Sequence, residues 1–250
     1  MALQARVSGY GPTRVLLLHG WLSDCHVFDS ILPWFAHDRY TIAAMDYRGY
    51  GLNRGVAGNF TIDEIAFDAI ELCAQLGWNR FSVIGHSMGG MVLQKMALLQ
   101  PGAILSAVAV TPVPASGFPV DPESAKLFRT SADDDAALSA IFKTLTGGKH
   151  AEGFVRSLVA AARAAITRSA YLGYLNSWTG TDFSAQVSSI DTPIQVLAGA
   201  NDMALGHQFL EQTYLAQLPN ARMTVIDNAG HYPMLERPPE TFQLIEQALG

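Results

Sequence analysis

The sequence predicts an α/β protein with a mostly parallel sheet, helices on both faces of that sheet, and an inserted helical cap. Short apolar strands alternate with amphipathic helices along most of the chain, and this alternation stops between residues 111 and 190. Parallel strands need crossover helices that cover the sheet, whereas a helical insertion has no neighbouring strand to pair with. We therefore expect a core of residues 1–114 and 190–250 and a cap of residues 115–189.

Six segments are short, apolar and rich in β-branched residues, which is typical of buried parallel strands. Short links join these strands to the helices between them outside residues 111–190, and no internal repeat is visible. Strands that recur in this way with helices between them predict one sheet covered on both faces. The predicted strands are residues 14–18, 40–45, 81–84, 105–110, 194–198 and 223–226.

Helical segments are recognised by apolar residues at helical spacing and by their end signals. Thr61 and Glu64 form a capping box, and Gly77 follows the helix that this box begins. The acidic run from Asp133 to Asp135 is interpreted as a solvated helix start, because acidic residues favour helix N-termini. The predicted helices are residues 28–35, 65–76, 91–99, 136–145, 153–165 and 206–218, with a terminal helix that Pro239 opens.

Composition excludes several classes of function. The chain has 250 residues, of which 49% are hydrophobic and only 15% charged, and its net charge is −6. This balance favours a globular domain and argues against nucleic acid or an anionic membrane as a partner. Cys25 and Cys73 have no metal-like spacing, so we expect two reduced thiols. The N-terminus lacks signal-peptide features and no segment is long enough to span a bilayer, which predicts a cytoplasmic protein.

The most informative stretch is Gly85-His86-Ser87-Met88-Gly89-Gly90, which stands between a predicted strand and a predicted helix. A serine at such a tight turn projects from the carboxyl edge of the sheet. The flanking glycines allow the backbone to approach itself closely there. This pattern predicts Ser87 as a catalytic nucleophile, which then needs a base and an orienting acid.

Three histidines follow Ser87 in the sequence. His150 falls in the predicted cap. His207 stands at the start of a predicted helix, where no neighbouring group would orient its ring. His231 comes a short loop after the strand 223–226, where a base should stand if the order is serine, acid, histidine. We therefore predict His231 as the catalytic base.

The acid is predicted by the same reasoning. Asp202 follows the strand 194–198 and so lies at the carboxyl edge of the sheet. The other possible loop, 111–114, carries no acid, and Asp227 is too near His231 in sequence to approach it easily. Asp202 is the predicted orienting carboxylate.

Charge that develops on a carbonyl oxygen needs preorganised backbone donors. One N–H should come from Met88, at the start of its helix, where N–H groups are unpaired. The other should come from the loop after the first predicted strand, His19-Gly20-Trp21-Leu22, where Gly20 allows a close approach. We predict an oxyanion hole formed by the N–H groups of Trp21 and Met88.

With these residues in place, the chain resembles an α/β-hydrolase fold protein over essentially its whole length. Gly85 to Gly90, Gly199-x-x-Asp202 and Gly230-His231-x-Pro233 are similar to three signatures of that family. Asp46-x-Arg48-Gly49-x-Gly51 is similar to a fourth, and Asn53, where the family often has serine, is interpreted as structural. The serine at position 87 excludes the branches with an aspartate nucleophile, namely haloalkane dehalogenases and epoxide hydrolases.

The resemblance implies a serine hydrolase that cleaves a small, largely apolar ester or lactone and requires neither metal nor organic cofactor. The same triad could instead cleave a carbon–carbon bond or act as a lyase or a cofactor-free oxygenase. From another class, a ligand receptor of the same fold stays open. The sequence does not choose among these, because the fold does not fix the function.

The cap is rich in large apolar residues, some of which should face the serine. Cys25 and His26 follow the oxyanion loop and could also line the pocket. Of the cap aromatic residues, we expect most to pack the cap onto the core; they are Phe118, Phe128, Phe142, Phe154, Tyr171, Tyr174 and Trp178. The residues predicted to contact substrate are Trp21, Leu22, Phe142, Trp178 and Met203.

Overall fold

Seven strands form one sheet in the computed structural model, which describes residues 3–250, and their order is β1-β3-β2-β4-β5-β6-β7. β1 runs antiparallel to β3, and every other neighbouring pair is parallel. This confirms the predicted fold class. The strands are β1 (Ala5–Gly9), β2 (Thr13–Leu18), β3 (Tyr40–Met45), β4 (Phe81–His86), β5 (Ile104–Val110), β6 (Ile194–Gly199) and β7 (Ala221–Ile226).

Nine α-helices lie between and after these strands within the described residues. Four of them fall between β5 and β6, where the sequence predicts helices and no strand. The seventh continues into a π-helical turn, Glu211–Leu215. The helices are α1 (Ile62–Gln75), α2 (Met88–Leu99), α3 (Pro122–Thr130), α4 (Asp135–Leu145), α5 (Glu152–Ala165), α6 (Arg168–Gly180), α7 (His207–Leu210), α8 (Pro233–Glu236) and α9 (Pro238–Leu249).

The strand order places these elements on both faces of the sheet. The chain moves one way from β2 to β3 and the other way from β3 onward, so right-handed crossovers lie on opposite faces. α1 and α2 pack against each other on one face. On the other face, Phe242 of α9 contacts Trp34 and Phe35, in the connection between β2 and β3.

One prediction of local structure is wrong, and one strand is missing from the prediction. Residues 28–35 form no α-helix; two short 3₁₀ turns, Cys25–Phe28 and Leu32–Trp34, lie there instead. Pro33 lacks an N–H, and its ring would clash with the carbonyl four residues before it in an α-helix. The antiparallel strand β1 was not predicted, because this edge strand is largely exposed and carries no apolar run.

The end signals of α1 act as the sequence predicts. The Thr61 hydroxyl accepts a hydrogen bond from the Glu64 N–H at 3.1 Å. The Glu64 carboxylate accepts from the N–H groups of Phe60 and Asn59, one and two residues before the N-cap residue whose N–H a regular capping box uses. Gly77 follows the helix with a φ of 71°, a left-handed conformation that glycine adopts without steric cost.

The strand register brings the loops that carry the candidate residues to one edge of the sheet. Leu18, the last residue of β2, lies opposite Gly85 of β4, and Gly85 lies opposite Ala109 of β5. The turns after β2, β4, β6 and β7 therefore meet at the same carboxyl edge. Within residues 3–250, no helix has the length and apolar character needed to cross a membrane.

Candidate active site

Ser87 lies in the tight turn between β4 and α2. Its φ of 54° and ψ of −117° are rare for a residue with a side chain, and only 8% of its surface is exposed. A Cβ on Gly85 would collide with the carbonyl oxygen of Gly89, and one on Gly89 would collide with the carbonyl of Leu18. These glycines are therefore required for the turn that strains and presents Ser87.

Asp202 and His231 are brought together as the sequence predicts. Nδ1 of His231 lies 2.6 Å from Oδ2 of Asp202, and both residues are buried. The other carboxylate oxygen accepts hydrogen bonds from the N–H groups of Ala204 and Leu205, which fix its orientation. Since an ionised carboxylate only accepts, Nδ1 carries the proton and Nε2 of a neutral imidazole is left as a base.

The other candidates lie elsewhere. His150 bonds to Glu236, with Nε2 2.7 Å from Oε2, and His207 begins α7. Asp227 is exposed. Among the described residues, therefore, Ser87 and His231 line one cavity, and Asp202 bonds to the histidine.

The backbone carbonyl of His231 is held by two donors that sequence reasoning missed. Nε2 of His86 lies 2.8 Å from this oxygen, and the Thr111 hydroxyl lies 2.9 Å from it. Thr111 is fully buried and has a φ of 42°, an unusual conformation for a β-branched residue. With the backbone in this strained conformation, the Thr111 hydroxyl is directed at the carbonyl of His231.

The predicted oxyanion donors face no acceptor within the described residues. The backbone N–H groups of Met88 and Trp21 make no hydrogen bond there. A Cβ on Gly20 would lie 3.0 Å from the Cβ of Ser87, so this loop runs directly past the serine. Nδ1 of His19 lies 2.8 Å from the Gly20 carbonyl, which fixes the peptide unit that contains the Trp21 N–H.

A buried polar cluster supports this loop from behind. The carboxylate of Asp46 accepts hydrogen bonds from the N–H groups of Cys25 and Leu52, at 2.7 and 2.8 Å. Burial, with the nearby Asp46, raises the pKa of the Cys25 thiol to about 12, so the thiol stays protonated. The Asn53 amide donates to the Asp46 carbonyl, as its structural interpretation predicts.

A cavity of about 300 Å³ opens onto Ser87 and His231. Four of the five residues predicted to contact substrate line it: Trp21, Leu22, Trp178 and Met203. Cys25 and His26 do not line it. Three aromatic residues of the stretch 115–189 line it: Trp178, Phe118 and Phe128. The other apolar lining residues are Leu127, Ile141 and Leu145 from the same stretch, and Val113, Ala204 and Leu205 from outside it.

Phe142 does not line the cavity, which corrects the sequence prediction. Its side chain is fully buried and packs on Tyr232, with ring centroids 5.9 Å apart. α4 presents Ile141 and Leu145 to the cavity instead. Adjacent residues of a helix point about 100° apart, so Phe142 faces the core where its neighbour faces the cavity.

Because Trp178 lines the cavity and Phe142 does not, alanine variants of the two form a matched pair. We expect Trp178→Ala to enlarge the cavity and shift preference toward longer acyl chains. Phe142→Ala should leave chain-length preference unchanged and lower the free energy of unfolding by about 3–5 kcal/mol. Kinetics on esters of increasing chain length, measured beside urea unfolding, check both. Equal chain-length profiles for the two variants would contradict the assignment of Trp178 to the substrate site.

Two buried histidines, His19 and His86, should make the free energy of unfolding depend on pH. Burial lowers the pKa of His19, against the opposing charge of Asp46. Burial, with the nearby His231, holds the pKa of His86 well below its ordinary value. In the unfolded chain both imidazoles take up protons near pH 6.5. Their contribution to stability is therefore complete above that pH and is lost as the pH falls below it.

We expect the free energy of unfolding to decrease below about pH 6.5, by up to about 1.4 kcal/mol per pH unit for each ring. Urea unfolding between about pH 5.5 and 7.5 measures this slope. His86→Gln should reduce the slope, because it removes one of the two buried rings whose pKa is lowered. A stability that is flat across this range would contradict the expectation.

Across residues 3–250, no group of three or more His, Cys, Asp or Glu side chains is arranged to hold a metal ion. The polar groups at the cavity are instead suited to nucleophilic attack: a strained serine, a histidine oriented by a carboxylate, and two free backbone donors.

Comparison with known proteins decides the family. A family model described as "Alpha/beta hydrolase family" matches residues 15–244. The chain belongs to the alpha/beta hydrolase family. The match covers both the turn that carries Ser87 and the loop that carries His231, and it confirms the resemblance inferred from their motifs.

This alpha/beta hydrolase is similar to curated relatives either over part of the chain or over all of it, and two of them show the difference. It is 35% identical over 113 residues to a fluoroacetate dehalogenase of Burkholderia sp., covering 43% of this chain and 36% of that protein. It is 26% identical over 276 residues to a pimeloyl-[acyl-carrier protein] methyl ester esterase of Aeromonas hydrophila, covering 100% of both. The chain thus spans about a third of the first relative and the whole of the second.

A solved structure agrees with the fold. The bromoperoxidase from Bacillus anthracis matches this alpha/beta hydrolase with a TM-score of 0.89 and 19% identity, covering 98% of this chain and 94% of that chain. At this identity the likeness concerns the fold alone. With the esterase match, the comparisons support a hydrolase at the level of the family.

Proposed function

We propose that this protein is a serine hydrolase that cleaves a small, largely apolar carboxylic ester or lactone through an acyl-enzyme on Ser87. One observation carries the proposal. His231 bonds to Asp202 through Nδ1, at 2.6 Å, and lines the same cavity as Ser87. A serine at a strained turn, a histidine with Nε2 free, and an orienting carboxylate are the groups that acyl transfer needs.

In the first half of the reaction, Oγ of Ser87 attacks the carbonyl carbon and Nε2 of His231 takes the hydroxyl proton. The negative charge that develops on the carbonyl oxygen is stabilised by the N–H groups of Trp21 and Met88. Asp202 stabilises the imidazolium. The tetrahedral intermediate then collapses, the bond to the leaving oxygen breaks, and His231 gives its proton to the departing alcohol.

In the second half, His231 takes a proton from water, and the resulting hydroxide attacks the acyl carbon. The same two N–H groups stabilise the second tetrahedral intermediate. Collapse releases the carboxylic acid, and the proton on His231 returns to Ser87. With a lactone, the leaving oxygen becomes a hydroxyl group at the far end of the acyl chain, and the second step releases the whole hydroxy acid from Ser87.

The cavity supports a neutral, apolar acyl group. Among its lining residues in the described part of the chain there is no Asp, Glu, Lys or Arg, and the polar side chains besides Ser87 are those of His86, Ser124, Thr144, Tyr232 and His231. A charged acyl chain would lose its hydration there without gaining an ionic partner. A volume of about 300 Å³ stands at the small end of ligand pockets, which favours short chains.

The methyl ester esterase that matches over the whole chain supports ester chemistry at the family level. We further infer that residues 115–189 act as a cap over the cavity. Support comes from residues of this stretch that line the cavity, such as Phe118, Leu127 and Ile141. The cytoplasmic location expected from the sequence stays a prediction.

A substrate screen tests the proposal. We expect multiple turnovers of short-chain p-nitrophenyl esters or of small lactones by the wild type, and none by Ser87→Ala. Cleavage of diketones without ester turnover would favour carbon–carbon bond hydrolysis instead. Stoichiometric binding of the same compounds without turnover would overturn the enzyme assignment and favour a receptor.

A further inference from the structure

Glu236 is a buried carboxylate at the end of α8 that no step of the proposed reaction uses. Its side chain is 0% exposed. Oε2 accepts a hydrogen bond from the Gly230 N–H at 2.8 Å, and Oε1 accepts from the Tyr232 N–H at 2.9 Å. The two oxygens of one carboxylate thus hold the residues immediately before and after His231.

The N–H between these two is held by the cap. The backbone N–H of His231 donates to the carbonyl of Leu145, the last residue of α4, at 2.8 Å. His150, which follows α4, donates through Nε2 to Oε2 of Glu236 at 2.7 Å. Every backbone N–H from Gly230 to Tyr232 therefore has an acceptor. The segment 145–150 supports the histidine loop directly through Leu145 and indirectly through the bond from His150 to Glu236.

This arrangement requires a carboxylate. Two backbone N–H groups approach two different oxygens, and only an ionised carboxyl group presents acceptors on both sides. Hydrogen bonds to a charged acceptor are about twice as strong as those between neutral groups. A glutamine at position 236 would place an NH₂ group against one of the backbone donors, and that side of the His231 loop would lose its anchor.

We propose that Glu236 is a positioning residue for His231, and that its bond to His150 makes the cap part of the support for the catalytic histidine. The inference rests on the proposed function, in which His231 is the base. Glu236 fixes the backbone on both sides of His231, while His86 and Thr111 hold its carbonyl. The imidazole can then face both Asp202 and Ser87 without further adjustment. Displacement of a catalytic group by about 1 Å can lower a rate about 100-fold.

The test compares Glu236→Gln with Glu240→Gln. Glu240 is a surface residue of α9, paired with Arg237 at 3.4 Å, so this variant removes the same charge nearby without touching the loop. Two measurements need no knowledge of the substrate: the rate at which a fluorophosphonate labels Ser87, and the downfield ¹H resonance of the His231 Nδ1 proton. Thermal melts report folding separately.

We expect Glu236→Gln to remain folded, to be labelled about 10- to 100-fold more slowly, and to shift or lose the Nδ1 resonance. Glu240→Gln should match the wild type in all three measurements. A folded Glu236→Gln with wild-type labelling and an unchanged resonance would overturn the inference. A wild type that is not labelled at all would instead overturn the proposed function.

A second pair of variants covers the case in which Glu236→Gln does not fold. His150→Ala removes one donor from the carboxylate and keeps both backbone bonds, so we expect slower labelling by a few-fold. His150→Gln retains a donor of similar reach and should restore the rate. Equal rates for His150→Ala and the wild type would then overturn the inference.

Discussion

Ser87→Ala is expected to lower the rate of ester hydrolysis by at least about 10³-fold, and by up to ~10⁶-fold, because members of a catalytic triad act as a unit. A fluorophosphonate should label the wild type at Ser87 alone, with one group per chain. Ser124→Ala is the matched control. Ser124 lines the same cavity, but its hydroxyl donates to the Asp121 carboxylate at 2.6 Å and has no adjacent base.

The position of Ser87 explains why the effect should be so specific. Its backbone is held in a left-handed conformation by the surrounding turn, and its side chain is directed to the cavity that His231 also lines. Mass spectrometry of the labelled protein identifies the modified residue. Labelling at another serine, or wild-type turnover by Ser87→Ala, would contradict the assignment of the nucleophile.

Much of the candidate site could be predicted because the parallel sheet restricts where its parts can lie. Side chains that follow parallel strands meet at one carboxyl edge, so Ser87, Asp202 and His231 were each predicted from their distance beyond a strand. Glycine patterns identified Ser87 and the approach of the oxyanion loop at Gly20. The fold class followed from strand and helix periodicity alone.

Other features depend on tertiary contacts that leave no local pattern. Periodicity places Phe142 on an apolar face of α4, but it does not tell which apolar neighbour faces the cavity and which faces Tyr232. Thr111 stands in a loop with no motif, and its strained backbone is visible only in three dimensions. Strand β1 is an exposed edge that carries no apolar run, so periodicity did not reveal it.

The support for His231 was missed for a related reason. Glu236 is five residues beyond His231, and in the sequence it is one of two adjacent charged residues, with Arg237, directly before the last helix. Its role becomes visible only when α8 turns the side chain back onto the N–H groups of Gly230 and Tyr232. A signal was present: an acid in a short apolar segment directly after the predicted base.

Asp202→Asn is expected to keep the fold and to lower the rate of hydrolysis by about 10³- to 10⁴-fold. The amide oxygen of an asparagine can still accept from the N–H groups of Ala204 and Leu205, which preserves the turn. Its NH₂ group would then face Nδ1 of His231 and favour the tautomer with the proton on Nε2. In that tautomer the imidazole has no lone pair for the proton of Ser87.

Asp227→Asn is the control for this prediction, because Asp227 is exposed and follows the neighbouring strand β7. Steady-state kinetics and thermal melts on both variants separate loss of the base from loss of the fold. The Nδ1 proton resonance should disappear only in Asp202→Asn, since only there does the ring nitrogen change from donor to acceptor. Wild-type turnover by Asp202→Asn would mean that another acid orients His231, and the 2.6 Å contact would then be structural only.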